Sequence, residues 1–207
     1  GVASCNKCPT HTTTLLSAAT LRDNCLCGLG AGLSEDDVCE ECQADFYKPD
    51  VANVTCSGCW PFSGTNSGVG STSCQCKPGY IFPTAQANAL ASDDYDSLTC
   101  QACEGGKFSS IFTLGSSCNN CGVDTFAQTG ASVCSDCGHH SSTLNLTTQS
   151  ICFCDQGFQR FVGFVGVDPD ECRTCTPGTF KSNPLDENCG DCTAFCGEDK
   201  RVLTFCT

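Results

Sequence analysis

The amino-acid sequence predicts small disulfide-rich repeats that form an elongated rod of short β-hairpins and loops, with little helix and no large core. Three observations predict this fold. Of the 207 residues, 24 are cysteine, above the roughly 8–10% that marks a disulfide scaffold. Most of the cysteines recur in close pairs, as in an array of small units. The other apolar residues include one Trp and no Met, and chains that cannot bury enough apolar surface are stapled by disulfides instead.

The close cysteine pairs predict a ladder of disulfides. Eight pairs have the form CxxC and three have the form CxC. Two cysteines so near in sequence are poorly placed to bond each other, so the economical arrangement joins the second cysteine of one pair to the first of the next. The predicted bonds are Cys8–Cys25, Cys27–Cys39, Cys42–Cys56, Cys59–Cys74, Cys76–Cys100, Cys103–Cys118, Cys121–Cys134, Cys137–Cys152, Cys154–Cys172 and Cys175–Cys189.

The loops of this ladder are of three kinds. Aromatic loops begin C-x-x-[GD]-x-[FY] at Cys42, Cys103, Cys121 and Cys175. Their Gly or Asp tolerates the left-handed backbone of a tight turn, and the aromatic that follows can lie across the neighbouring disulfide.

Threonine loops begin at Cys8, Cys59 and Cys137, carry Thr at the sixth position (Thr14, Thr65, Thr143) and end at a CxC pair. Acidic loops follow each CxC pair and open with Gly30, Gly79 or Gly157, which Tyr80 or Phe158 follows in the last two. Each acidic loop contains a cluster of carboxylates, at residues 35–37, 93–96 and 168–171. The order threonine loop, acidic loop is the same all three times.

This order divides the chain into repeats. We expect cysteine-rich repeats over residues 1–41, 42–102 and 103–174, and a partial repeat with a C-terminal cysteine knot over residues 175–207. Four cysteines stay outside the ladder, and they are Cys5, Cys192, Cys196 and Cys206. Either Cys192 forms an internal C-terminal knot with Cys196 or Cys206, or Cys5 bonds a cysteine of a neighbouring subunit in a head-to-tail filament.

Two stretches carry a resemblance to known modules. The run from Cys172 to Cys192 resembles the C-x-x-C-x-P-G-T-F module of the ephrin-receptor cysteine-rich region, and the run from Cys137 to Cys172 resembles the C-x-C-x-x-G-[YF] segment of the same region. Both are similar to tumour-necrosis-factor-receptor-like and EGF-like modules, and the CxxC rhythm is similar to that of protist cysteine-rich surface antigens. The resemblance implies an elongated ectodomain and names no ligand, because fold does not fix function.

Composition and charge indicate the compartment and exclude one class of partner. Structural disulfides persist in oxidising surroundings, so we expect a secreted or cell-surface protein. The net charge of -13 repels nucleic acid. The longest apolar run, residues 161–167, is far shorter than the ~20 residues of a transmembrane helix. The sequons at Asn53 and Asn145 predict N-linked glycans.

Metal and catalytic sites have weak support in the sequence. Four-cysteine zinc sites use CxxC, but the CxC pairs and the acidic charge favour disulfides and no cofactor. Asp168, Asp170 and Glu171 are calcium candidates, although such charge runs are commonly hydrated surface. His11, His139 and His140 have no assignable nucleophile or carboxylate partner, so we expect no enzyme.

The expected function is structural. Phe161, Phe164 and Val165 are interface candidates, because a thin rod can hardly bury them. Trp60 either anchors a partner or covers the Cys59–Cys74 bond. We expect a glycoprotein of a surface coat, extracellular fibre or flagellar hair that contacts its own copies or other surface glycoproteins. The alternative is the ligand-binding ectodomain of a receptor or adhesion protein.

Overall fold

The computed structural model describes residues 7–15, 24–83, 99–161 and 171–191. Regular structure in these residues consists of short antiparallel strands, without an α-helix in the part described. The strands are β1 (Thr12–Thr13), β2 (Leu26–Cys27), β3 (Ala31–Leu33), β4 (Cys39–Glu41), β5 (Phe46–Tyr47), β6 (Ser57–Gly58), β7 (Ser63–Gly64), β8 (Gln75–Cys76), β9 (Tyr80–Ile81), β10 (Gln101–Ala102), β11 (Lys107–Phe108), β12 (Asn119–Asn120), β13 (Thr125–Phe126), β14 (Ser135–Asp136), β15 (Ser141–Ser142), β16 (Phe153–Cys154), β17 (Phe158–Phe161), β18 (Glu171–Thr174), β19 (Thr179–Phe180) and β20 (Gly190–Asp191).

Each disulfide loop closes one two-stranded hairpin. The first strand follows the opening cysteine of the loop, and the second includes residues of the next cysteine pair, as where Phe46 faces Gly58 and Tyr47 faces Ser57. Ten disulfides join the predicted pairs, with Cα–Cα distances of 5.3–5.8 Å. The predicted class of small disulfide-rich hairpin repeats is therefore confirmed.

All ten loops share one backbone feature. The third residue after the opening cysteine has a positive φ, between 57° and 88°, which turns the chain into the first strand. The sequence predicts this conformation for the Gly and Asp of the aromatic loops. The threonine loops adopt it with bulkier residues, namely His11, Phe62 and His140.

The interior is local, and disulfides make up much of it. One cluster of buried residues contains Tyr47, Trp60, Phe82 and the cysteines of neighbouring bonds. Trp60 is 7% exposed; its edge meets the Tyr47 ring at a centroid distance of 5.9 Å, and its indole N–H donates to Cys100 Sγ at 3.3 Å. Trp60 thus belongs to this interior and not to an exposed contact surface, because its ring fills the space between disulfides.

The chain divides into two compact units. Unit 1 contains residues 1–102 and 110–117, and unit 2 contains residues 103–109 and 118–207. The four repeat boundaries and the elongated rod stay predictions of the sequence. None of the described residues forms a helix long and apolar enough to cross a bilayer.

Candidate functional site

The junctions between successive loops carry the most specific side-chain chemistry in the structure. Where an aromatic loop precedes a threonine loop, an Asp and a Thr bind each other reciprocally. The Asp45 backbone N–H donates to Thr65 Oγ1 at 2.9 Å, and the Thr65 N–H donates to Asp45 Oδ1 at 3.2 Å. The Thr65 hydroxyl in turn donates to the Gly68 carbonyl at 2.8 Å. We call this arrangement the Asp–Thr clasp.

A second Asp–Thr clasp lies in unit 2. The Asp124 N–H donates to Thr143 Oγ1 at 2.8 Å, the Thr143 N–H donates to Asp124 Oδ1 at 3.1 Å, and the Thr143 hydroxyl donates to the Leu146 carbonyl at 2.7 Å. Thr143 is fully buried. Sequence reasoning assigned Asp to the turn alone and missed this role. The signal was available, since Asp stands in the loops that precede a threonine loop, whereas Gly106 precedes an aromatic loop.

Ring stacking joins each of two threonine loops to the acidic loop that follows. Phe62 stacks on Tyr80 with ring centroids 4.5 Å apart and planes within 7°. His140 stacks on Phe158 at 3.9 Å and 9°. In both pairs the ring from the threonine loop, Phe62 or His140, belongs to the residue with positive φ. The threonine-loop histidine His140 therefore has a structural partner that sequence analysis did not identify.

The first threonine loop has a different partner at this position. Ala31 replaces the aromatic after the glycine of the acidic loop, and His11 Nδ1 lies 3.9 Å from Glu41 Oε1. Glu41 faces Ala31 across the β3–β4 hairpin. A carboxylate on the opposite strand thus takes the place that an aromatic ring has in the later copies.

Buried lysines join two acidic loops to the aromatic loops that follow. Lys48 is 1% exposed, and its ammonium donates to the Asp50 carbonyl at 2.6 Å and to the Cys27 carbonyl at 3.4 Å. Lys181 is also buried and donates to the Cys154 carbonyl at 2.9 Å. Burial lowers the pKa of the Lys181 amine, which Asp186 and Asp155 partly offset. Each lysine directly follows the aromatic of its loop, and sequence analysis assigned it no role.

The middle acidic loop uses backbone pairing instead of lysine. Ser109 occupies the lysine position in the following aromatic loop and is buried. The Cys76 carbonyl accepts from the Thr113 N–H at 3.0 Å, and the Cys76 N–H donates to the Thr113 carbonyl at 2.9 Å. The second cysteine of a CxC pair therefore has its carbonyl satisfied by the next loop in each copy.

Two glycines are required by close backbone contact as well as by φ. A Cβ on Gly30 would overlap the carbonyl of Gly70, and one on Gly106 would overlap the carbonyl of Thr148. These glycines have φ of 69° and 80°. Each contact reaches the second loop along the chain, so a threonine loop is seated directly against a glycine.

The predicted glycosylation sites and the interface candidate Phe161 lie at the surface, whereas Trp60 is buried. Asn53 is exposed, and its Oδ1 accepts from the Cys27 N–H at 2.9 Å. Asn145 is exposed in a turn, with φ of 61°. Phe161 is 37% exposed, with the Arg173 guanidinium 3.8 Å from its ring centroid.

The remaining predicted site residues are only partly described. Glu171 forms an ion pair with Arg173 at 3.0 Å, so this calcium candidate has a partner within its own strand. In the described residues, no group of three or more His, Cys, Asp and Glu side chains is arranged to hold a metal ion. The predicted residues outside the described ranges are Cys5, Cys192, Cys196, Cys206, Phe164, Val165, Asp168 and Asp170.

A shallow cleft in unit 2 gathers titratable side chains. It has a volume of about 920 Å³, within the size range of small-ligand sites. Its lining includes Asp136, His139, His140, Arg160 and Glu171. Arg160 is held by the Cys152 carbonyl, which accepts from its Nη2 at 2.8 Å. The arrangement mixes acids, a guanidinium and imidazoles, which are all hydrogen-bonding groups.

Comparison with known proteins shows a cysteine-rich repeat protein as a relative. Over 89 residues the chain is 34% identical to Cysteine repeat modular protein A from Toxoplasma gondii. The match covers 39% of this chain and 3% of that protein, so the chain spans a small part of its relative's length. No protein-family model matches the chain. Together with the ten disulfides, the similarity identifies a cysteine-rich repeat protein, without confirming the ephrin-receptor-like, tumour-necrosis-factor-receptor-like or EGF-like families.

Proposed function

We propose that this chain is a structural segment of an extracellular surface coat, fibre or flagellar hair, in which the disulfide ladder carries mechanical load and contacts at the junctions fix each loop against the next. The observation that carries the proposal is the set of junction contacts. The Asp–Thr clasps, the ring stacks and the buried lysines each tie one loop to its neighbour through specific partners. The role needs no catalytic group and no cofactor.

The disulfide ladder supports a load-carrying role. Successive bonds are separated by two or three residue steps, as between Cys25 and Cys27 or between Cys39 and Cys42. Tension along the chain therefore passes through the bonds and bypasses the loops. At about 3.5 Å per residue, the spacers and bonds between Cys8 and Cys189 extend to roughly 150 Å, whereas the reduced segment extends to roughly 600 Å.

Single-molecule force spectroscopy tests this load path. Handles placed outside Cys8 and Cys189 are pulled before and after reduction. We expect the oxidised chain to stop near the shorter length and the reduced chain to reach the longer one. An oxidised chain that extends to the reduced length would rule out the ladder as the path of tension.

The extracellular polymer is tested on native material. Intact source cells are labelled with a membrane-impermeant reagent, and the protein is extracted without reductant and viewed by negative-stain microscopy. Surface labelling together with regular polymers supports the proposal. Recovery only from inside the cell, or only as isolated molecules, contradicts it.

Glycans at Asn53 and Asn145 belong to the same proposal. Both side chains lie at the surface, and a glycan on the Asn53 amide nitrogen leaves Oδ1 free to accept from Cys27. Enzymatic removal of N-glycans should reduce the mass of the native protein, and Asn53→Asp and Asn145→Asp should each remove one increment. An unchanged mass would exclude N-glycosylation. The aspartate at position 53 keeps the acceptor for the Cys27 N–H, so a change in mass reports the loss of the glycan and not a loss of folding.

A receptor or adhesion role is the second candidate, and the cleft in unit 2 favours it. Its acids, imidazoles and guanidinium could recognise a polar ligand. Under this alternative the native protein is monomeric, and Arg160→Met or Asp136→Asn reduces the binding of cells or matrix to the purified chain. Polymers with no effect of these variants favour the structural role.

A further inference from the structure

The residue with positive φ in the second threonine loop is unusual. Of the ten equivalent positions, all within the described residues, five carry Gly, two Asp and two His, and only Phe62 is bulky and apolar. A bulky residue at φ near 60° is a steric outlier. Backbone strain of this kind persists where the surrounding structure over-determines it, and it concentrates at functional sites.

Stacking on the next loop does not explain the choice of phenylalanine. At the equivalent junction in unit 2, His140 stacks on Phe158 at 3.9 Å, closer than the 4.5 Å between Phe62 and Tyr80. Histidine is also among the residues enriched at positive φ. Phe62 is 55% exposed although Tyr80 covers one face of its ring. The phenylalanine therefore adds a flat apolar surface that is open to solvent.

Polar groups lie close to Phe62. The Lys77 N–H donates to the Phe62 carbonyl at 2.9 Å, and Lys77 Nζ lies 3.8 Å from Asp45 Oδ2. The lysine side chain crosses Gly64, where a Cβ would lie 2.9 Å from Lys77 Cε. Both charged groups are about half exposed. The ammonium and the carboxylate thus lie beside Gly64, two residues after Phe62, and the ring stacked on Phe62 carries a phenol hydroxyl.

We propose that Phe62, Tyr80, Lys77 and Asp45 form a carbohydrate-binding platform that stacks one pyranose ring. A pyranose has a face of C–H bonds, which pairs with an aromatic face, and a rim of hydroxyls that both donate and accept hydrogen bonds. The ammonium donates, the carboxylate accepts and the phenol does both. A single exposed ring, with an ion pair beside the residue two positions along the chain, fits this amphipathic partner better than an apolar protein segment, which would require a broader apolar surface.

Unit 2 supplies a matched comparison. Its equivalent residues are His140 for Phe62, Asp155 for Lys77 and Ser142 for Gly64. There the outer ring is an imidazole, the ammonium is replaced by a carboxylate, and the glycine over which Lys77 lies is absent. The platform therefore belongs to unit 1, and the unit 2 junction serves as an internal control.

Saturation-transfer NMR tests the proposal with three defined probes: N-acetylchitotriose, mannotriose and cellotriose, titrated to millimolar concentrations. We expect transfer to the axial C–H protons of at least one sugar, with Phe62→Tyr retaining the signal. Phe62→Asn should weaken binding at least about tenfold, because Asn removes the ring while tolerating positive φ. Leu144→Asn, at another residue of the unit 2 threonine loop with positive φ, should leave binding unchanged.

Three results would overturn the platform. One is the absence of transfer to all three sugars, and another is equal binding by wild type and Phe62→Asn. The third is concentration-dependent self-association that Phe62→Asn abolishes while no sugar binds, which would make the ring a contact between protein copies. The assay uses the isolated chain, so failure of the coat proposal on native material would leave its result unaffected.

Discussion

Replacing Thr143 by Val tests the Asp–Thr clasp with almost no change in side-chain volume. The hydroxyl accepts from the Asp124 N–H at 2.8 Å and donates to the Leu146 carbonyl at 2.7 Å, at a fully buried position. Val removes both bonds and leaves two backbone groups without these partners. A buried polar group left unsatisfied costs about 1–3 kcal/mol, so we expect local opening to become easier by about 3 kcal/mol.

Amide hydrogen exchange measures the easier local opening directly at the Asp124 N–H. About 3 kcal/mol corresponds to on the order of 100-fold faster exchange of the Asp124 N–H when exchange follows local opening. The disulfides stay intact throughout, so the reference state is the oxidised chain. Global denaturation is the weaker assay, because repeat arrays depart from two-state behaviour.

Thr143→Ser is the matched control. It keeps the hydroxyl and removes one buried methyl group, which costs about 1 kcal/mol. The clasp therefore predicts that Val is worse than Ser, whereas a purely apolar packing site predicts the reverse order. Equal or slower exchange of the Asp124 N–H in Thr143→Val than in Thr143→Ser would refute the reasoning.

Three further predictions test the glycine contact, the buried lysine and the interior. Gly106→Ala should lower the free energy of unfolding by about 3 kcal/mol, because the residue has positive φ and its Cβ would overlap Thr148. Gly157→Ala is the control: its φ is also 80°, but a Cβ there meets nothing within 4 Å, so the loss should be only about 1 kcal/mol. Similar melting temperatures for the two variants would contradict a rigid contact at Gly106. Burial lowers the pKa of Lys181 in the folded state below its ordinary 10.5, so between the folded and the unfolded pKa the unfolded chain binds more protons. The free energy of unfolding should therefore rise with pH in this range. Guanidinium titrations at several pH values should show this slope for the wild type and lack it for Lys181→Met. Trp60 fluorescence should increase when Cys76 and Cys100 are both replaced by Ala, because the indole touches Cys100 Sγ and disulfides quench Trp; unchanged emission would place the indole elsewhere.

The sequence predicts the ladder and the hairpins because both depend on spacing along the chain. Cysteine pairs fix where loops close, and a glycine or Asp in third position marks the turn into each strand. The same position in the threonine loops is occupied by His11, Phe62 and His140. Phe62 gives no sign of positive φ, since bulky residues rarely adopt it, and the enrichment of histidine at positive φ does not by itself mark a turn. Alignment on the cysteines is the signal that could have revealed it.

The junction contacts could not be predicted because they depend on which residues of neighbouring loops meet. The partnership of Asp45 with Thr65 joins residues 20 positions apart, and neither residue type is informative alone. Lys48 is a polar residue in a short loop, and the positions of the Asp50 and Cys27 carbonyls, which accept from its ammonium, explain its burial. Trp60 was compatible with an anchor or a cover, and the surrounding disulfides decide for the cover.

The junction contacts give a physical reason for the order of loops. The Asp of an aromatic loop has a Thr side chain as its hydrogen-bond partner when a threonine loop follows. The ammonium of the buried Lys48 donates to carbonyls of the preceding acidic loop and of its own loop. At one place an aromatic loop follows another, from Cys103 to Cys134. There the first loop carries Gly106 where Asp would be, and the second carries buried Ala127 where lysine would be.

Both exceptions remove the group that the altered order would leave without a partner. An Asp at position 106 would meet the Thr148 carbonyl instead of a Thr side chain, and a lysine at position 127 would be buried beside a loop that does not begin at a CxC pair. Burying an unpaired charge destabilises the fold by more than the contacts of one junction stabilise it. The loops of this protein are therefore not interchangeable units, because the residues at each junction fit only one kind of following loop.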